Sequence, residues 1–184
     1  MLPDGYAIRL IHREDWSAVA AAYRRNREHL AAWDPERPEE FWTDAGQEED
    51  VARQVTAAEE GRTHTYLMWH GDGGARVVVG RAMLTQIVRG HMQSAVIGYW
   101  VDHEHQGRGL ATGFVEHLVG VAEGMGLHRL EAGTMVDNVG SQRVLERSGF
   151  TRIGVAEGLL HLRGAWQDHV LFQRLLHDRP PPRA

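Results

Sequence analysis

The chain has 184 residues, no cysteine and a formal net charge of −5. That length suits one domain able to bury a core without covalent staples, and the missing thiols exclude a disulfide framework, a thiolate zinc site and any covalent cysteine mechanism. The basic residues are dispersed rather than gathered into a stripe, which argues against a nucleic-acid partner. No apolar run is long enough to span a bilayer, and the first residues, MLPDGYAIRLIHRED, lack a charged-then-apolar signal pattern, so a soluble cytoplasmic protein is expected.

AIRLI (7–11) reads as a short first strand, and Glu14 and Asp15 stand where a helix dipole favours negative charge. The helix they open is predicted over WSAVAAAYRRNREHLAAW (16–33), until Pro35 and Pro38 end helical structure. A second, more polar helix is predicted over 46–61, closed by Gly61. THTYLMWH (63–70) and ARVVVGRAMLTQIV (75–88) read as strands on either side of GDGG, which has hairpin-turn chemistry. QSAVIGYWVD (93–102) makes a third antiparallel strand and runs up to the loop HQGRG. After the loop, Leu110, Phe114, Leu118, Val121, Ala122 and Met125 form one apolar stripe on a helix ending near Gly124 and Gly126. HRLEAGTMV (128–136) follows this helical crossover and is expected to lie parallel to the strand before the loop. A short helix follows, capped by Asn138 or Asp137 with Gly149 just past its end, then a hairpin over 151–176 and a solvated tail over 178–184.

The loop raises a chemical question, because glycine weakens a helix and three of them surround Arg108 at the mouth of one. Free amides at the positive end of a helix dipole suit an anion, and glycines let a bulky phosphate come close. A tight turn with no ligand is the other reading of the same residues. A nucleotide-hydrolysing P-loop needs Lys followed by Ser or Thr after the last glycine, whereas Leu110 and Ala111 follow Gly109. A dinucleotide fold puts its glycines in the first strand-turn-helix unit, and here about a hundred residues of meander come first.

QGRGLA (106–111) resembles the Gln/Arg-x-x-Gly-x-Gly/Ala acetyl-CoA loop of the GNAT acyltransferase superfamily, with Gln106, Gly109 and Ala111 in its fixed positions. GYWVD, HRLEAGTMVDN, NVGS, LERSGF, GAWQDHVLF and the earlier NREHLAAWDP look like the branch containing the ribosomal-protein N-terminal acetyltransferases of RimJ/RimL type. The resemblance covers roughly residues 7–175. It implies an α/β (α+β) GNAT domain over 1–177, with a mixed, mostly antiparallel sheet splayed into a V and flanked by helices. It also implies acetyl-CoA as cosubstrate, its pantetheine arm beside Trp100 and Val101, its pyrophosphate on the amides of Gln106, Gly107, Arg108, Gly109, Leu110 and Ala111, and a further contact from Asn138. Arg108 would add a charge-assisted contact or simply be solvated.

Acetyl transfer from a thioester to an amine needs a neutral amine, charge stabilisation at the thioester oxygen and a proton for the departing sulfur. Ser141 is the candidate proton donor and also a coenzyme contact. It shares a helix face with Val144, Leu145 and Ser148, although a small serine bonded to the carbonyl four residues back fits the local pattern too. Many superfamily members carry a tyrosine at the position of Leu145, and some carry a basic glutamate at that of Gly133, so both usual groups are missing. Glu131 shares the strand face of Gly133 and is the candidate base through a water, with a partnership to Arg129 equally open. Glu157, Asp168, His161 and His169 are further groups near the expected acceptor end, and the sequence does not choose among them. His103 and His105 would face one side of an extended segment, but no third ligand has metal spacing, so no metal is expected. Trp33 and Trp166 border the acceptor side, and Trp42 and Trp69 read as core or cleft wall.

The function implied is direct acetyl transfer to a primary amine, first of all a protein or peptide N-terminal amine, with a small-molecule amine or antibiotic, and a non-catalytic acyl-CoA sensor, as the alternatives. Exposed sheet edges make a homodimer compatible with such a fold.

Overall fold

The computed structural model describes residues 2–73 and 76–181. Seven strands form one sheet in the order β1-β2-β3-β4-β5-β7-β6. They are β1 Tyr6–Leu10, β2 His64–His70, β3 Val77–Val88, β4 Ser94–Val101, β5 Arg129–Met135, β6 Thr151–Leu162 and β7 Ala165–Leu175. All neighbours are antiparallel except β4 and β5, which are parallel as a helical crossover requires. The helices are α1 Trp16–Arg25, α2 Arg27–Ala31, α3 Asp44–Glu59, α4 Leu110–Gly124 and α5 Val139–Arg147.

The sheet is covered on both faces, because successive strand residues point opposite ways. Leu67 and Val78 join Val19, Tyr23, Phe41 and Val51 on the face of α1 and α3. Their neighbours Met68 and Val79 join Phe114, Leu118, Leu130, Leu145 and Phe172 on the face of α4 and α5. The stripe read along α4 is the buried one, with Leu110, Phe114, Leu118 and Ala122 inside. None of the described helices is long and apolar enough to cross a membrane.

Two boundaries differ from the expectation. The single helix predicted over 16–33 is two, because Asn26 leaves helical geometry at the joint, with φ −103° and ψ 11°. Its amide donates to Ala22 O at 2.9 Å and to Asp102 Oδ2 at 2.8 Å, and its carbonyl oxygen accepts from the His103 N–H at 2.9 Å. The next helix starts at Asp44 rather than Gly46, since Thr43 caps it by accepting from the Gly46 N–H at 3.0 Å. Part of the GDGG turn, at residues 74 and 75, lies outside the described residues, as does the end of the tail, 182–184.

Asp102, with no exposed surface, ties these parts together. Its carboxylate accepts from Arg25 Nε at 2.7 Å, Asn26 Nδ2 at 2.8 Å and the Glu104 N–H at 2.9 Å, and its own N–H donates to Val79 O at 2.9 Å. Burial pushes the carboxyl up, but the bonds from Asn26, the Glu104 amide and Arg25, with the charge of Arg25, outweigh it and hold it below the usual carboxylate value. Replacing Asp102 by Ala strands a guanidinium and an amide, and should cost about 3 kcal/mol of stability, a fall of roughly 6–12 °C in Tm by differential scanning calorimetry. A depressed pKa stabilises the fold above the unfolded-state value and loses that contribution as pH falls through the folded one. The melting-temperature gap between wild type and Asp102→Asn should therefore persist at neutral pH and close in acid.

Candidate active site

Strands β4 and β5 pair only where Ser94–Val96 meet Arg129–Glu131. Beyond that point they part, each held on its outer side, β4 by β3 as far as Val101 and β5 by β7 as far as Met135. The gap is a cleft of about 620 Å³ with Ile97–Val101 on one wall and Ala132–Met135 on the other. Backbone groups along these facing edges have no strand between them, and buried N–H and C=O groups demand partners, so the cleft is suited to an extended ligand carrying amides.

At the end of β4, Asp102 starts a tight 3-10 turn over His103–His105, and the chain then climbs through Gly107 (φ 74°) and Gly109 (φ 76°) into α4. A residue with a Cβ is strained in this left-handed region, while no atom lies within 4 Å of where a Gly109 Cβ would be. The glycine is thus needed for the turn of the backbone and not for space. The first ladder bond of α4 runs from the Gly113 N–H to Gly109 O at 3.0 Å, so the amides of Leu110 to Thr112 open the helix without carbonyl partners one turn back.

The structure brings Trp100, Val101, Gln106, Gly107, Gly109, Leu110, Ala111, Asn138 and Ser141 together around this one cleft. Gln106 Nε2 lies 3.0 Å from His29 Nε2, which links the loop to α2, and burial with the nearby His103 lowers the pKa of His29. Arg108 is outside the lining, its guanidinium donating to Tyr6 Oη at 3.1 Å. Asn138 caps α5 by accepting from the Ser141 N–H at 3.0 Å.

Ser141 does not bond back along its helix. Its Oγ lies 2.9 Å from the phenol oxygen of Tyr99, across the cleft on β4. Burial pushes the Tyr99 phenol up to about 12, the bond with Ser141 opposing the shift, so the phenol stays neutral and hydrogen-bearing at physiological pH. The sequence does not single out Tyr99, because its partner is 42 positions away. Leu145, where a tyrosine would stand in other superfamily members, is fully buried.

Glu131 does share the face of Gly133, but it stands at the last position paired with β4, outside the cleft lining, and takes Arg129 at 2.7 Å. Glu157 and Asp168 are exposed and outside the lining, Asp168 accepting from the Gly158 N–H at 2.8 Å. His161 packs edge-on against Trp166, which is 68% exposed. His169, by contrast, is buried and lines the cleft. Trp33 lines it too, with the Arg163 guanidinium 4.9 Å from its ring centre. Trp42 and Trp69 lie under Arg27 and Arg9. The two histidines of HEH do not face one side, since in the turn His103 goes to Asn26 and His105 to Tyr6. No group of three His, Asp or Glu that could hold a metal occurs among the described residues.

Residues 7–151 match the acetyltransferase (GNAT) domain model, more than half of the chain. The chain belongs to the GNAT acetyltransferase family. A probable N-acetyltransferase of Bacillus subtilis, YjcK, is 33% identical over 154 residues, covering 83% of this chain and 84% of the relative. The crystal structure of ribosomal-protein-S5-alanine acetyltransferase from Vibrio fischeri has a TM-score of 0.91 at 28% identity and covers 98% of each chain. Mycobacterium smegmatis RimJ, solved in complex with CoA-disulfide, has a TM-score of 0.84 at 26% identity, over 92% of this chain and 81% of that one. The mixed sheet of this acetyltransferase, parted between β4 and β5, is the GNAT fold that the loop motif implied.

GNAT enzymes use acetyl-CoA, and here an open pair of strand edges leads to a loop of unpaired amides, an arrangement that fits a pantetheine arm ending in a pyrophosphate. Forcing a side chain into the left-handed turn at Gly109 costs about 1.4 kcal/mol. In the free protein the exposed loop relaxes out of that turn and binding must restore it, so Gly109→Val should weaken coenzyme A binding about tenfold, read by isothermal titration calorimetry, with the melting temperature little changed.

Proposed function

We propose that the chain transfers acetyl from acetyl-CoA to the α-amine of a protein N-terminus, directly and within a ternary complex. Acetyl-CoA supplies an activated acetyl thioester. The backbone of Gln106 to Ala111 holds its pyrophosphate, the edges beside Trp100 and Val101 pair with its arm, and Asn138 contacts it at the mouth of α5.

The observation that carries this reading is the hydroxyl pair of Ser141 and Tyr99 in the wall of the cleft, 2.9 Å apart. A departing thiolate needs a proton, and Ser141 supplies it while the neutral Tyr99 phenol orients the serine hydroxyl and shares the charge left on it. With no cysteine in the chain, no acyl-enzyme on sulfur is available. Supporting a protein acceptor is the full-length likeness to a protein whose structure is named for ribosomal-protein-S5-alanine acetylation. The outer wall of the cleft, with Trp33, Pro35 and Leu160, offers an apolar rim to the first side chains of such a terminus.

The test is amine-dependent release of coenzyme A thiol with peptides that begin in Ala or Ser and, in parallel, with small amines, the acetylated position being located by mass spectrometry. Ser141→Ala should lower kcat about 100-fold. Tyr99→Phe removes one hydrogen bond worth about 1 kcal/mol and should lower kcat roughly five- to tenfold, with KM for acetyl-CoA nearly unchanged in both. Coenzyme A binding without thiol release on any amine would replace the enzyme by a sensor of acyl-CoA.

A further inference from the structure

The reaction also needs a group that takes a proton from the acceptor, because an ammonium has no lone pair with which to attack a thioester. Among the titratable side chains lining the cleft, five are committed or unsuited. His29 meets Gln106 and His105 meets Tyr6, both at the anion loop. Asp34 is paired with Arg37 at 3.5 Å. Tyr99 is held neutral and hydrogen-bearing. Arg147 is a cation and cannot accept. The remaining one is His169.

His169 sits on β7 opposite Met135 of β5 and Ala156 of β6. In an antiparallel sheet, directly opposed residues share a face, so His169, Met135 and, two positions along, Gly133 all present the same side of the parted sheet. A Cβ built on Gly133 would lie 3.9 Å from the His169 ring carbon Cδ2, and the ring therefore borders the space that this glycine leaves empty. His169 Nδ1 lies 3.0 Å from Gln167 O. A carbonyl oxygen only accepts, so Nδ1 carries the hydrogen and Nε2 of the neutral ring carries the lone pair. His169 is 4% exposed, yet it is part of the cleft wall.

We propose that His169 Nε2 is the general base of this acetyltransferase, an assignment that rests on the proposed amine acetylation. The acceptor R–NH3+ gives one proton to Nε2 and becomes R–NH2, whose lone pair forms the new N–C bond at the acetyl carbonyl. The C–S bond breaks with its electron pair going to sulfur, which takes a proton from the Ser141 hydroxyl. The new amide nitrogen loses its second proton, which replenishes the hydroxyl pair, and His169 releases its proton to solvent. One acetyl-CoA and one ammonium thus yield one amide, one thiol and one proton.

His169→Gln should lower kcat/KM for an Ala-initiated peptide about 100-fold at pH 7, leave coenzyme A affinity and melting temperature near wild type, and flatten the ascending limb of the pH profile that deprotonation of a general base produces. The deficit should shrink as pH rises past the peptide amine's own pKa, roughly 8, where the acceptor arrives deprotonated; a merely structural role gives the same deficit at every pH. Because glutamine could disturb the strand, a second variant adds Gly133→Glu. The contacts that its Cβ meets are ordinary in length, 3.6–3.9 Å, and a carboxylate there should restore at least tenfold of the lost rate. An unchanged limb in His169→Gln, or a pH-independent loss that Gly133→Glu does not relieve, overturns the assignment and leaves the acceptor class standing. Acetylation of small amines but not of peptides overturns the acceptor class, and His169 is then read on those amines. A readout that needs no acceptor is the ¹⁵N-histidine spectrum of the protein with coenzyme A: the Nδ1–H tautomer at His169 supports the base, and the Nε2–H tautomer overturns it.

Discussion

The buried carboxylate of Asp102 is the interaction on which the shape of the cleft depends. Taking a carboxylate out of water costs several kcal/mol unless partners surround it, and here the partners come from separate parts of the chain: Arg25, Asn26 and the Glu104 amide. Arg25 also donates to Val78 O at 2.7 Å, so the cluster reaches β3 as well. The joint between α1 and α2 is thereby fixed to the end of β4. Since α2 carries His29 and Leu30 and leads to Trp33, one cleft wall is positioned against the loop of Gln106–Gly109 by a charge that never meets solvent.

The second constraint is that a sheet must be opened without losing its core. Pairing between β4 and β5 lasts three residues on each strand, which alone would join two half-sheets weakly. Helix α4 crosses beneath the gap, and Phe114 and Leu118 share one cluster with Leu84 and Ile97 from one half and Leu130 and Phe172 from the other. Apolar burial is non-directional, so it holds the halves together while the backbone edges above stay apart. The same helix then opens its N-terminus towards the mouth of that gap.

What could be read from sequence alone follows the range of the forces involved. The left-handed glycines, the α4 stripe and the parallel β5 are local or topological signals, and the fold followed from them and from the loop motif. The break at Asn26 is not local: AAAYRRNREHL is a good helix sequence, and the atoms that interrupt it belong to Asp102 and His103, more than 70 positions on. Glu131 shows a subtler limit. Period two placed it on the right face, but its depth is set by where β4 and β5 separate, which no periodicity encodes. For HEH a usable signal was present, since an aspartate before a short turn caps it through its side chain, and Asp102 does so on the Glu104 amide.

A motif that lacks its usual side chain says only that one Cα is bare, whereas proton transfer needs an atom at a place. Neighbouring strands lie about 4.8 Å apart, so a long side chain on one can reach the space beside another. Tyr99 does this toward Ser141 from β4, while Leu145 is given over to the core. His169 does it toward the space beside Gly133 from β7. The Tyr99 phenol is neutral, in contrast to a glutamate, whose charge would need the kind of donor shell that surrounds Asp102. A cleft walled by a phenol, a serine and an imidazole can be dry enough to strengthen the hydrogen bonds made within it, without a buried anion that must itself be solvated.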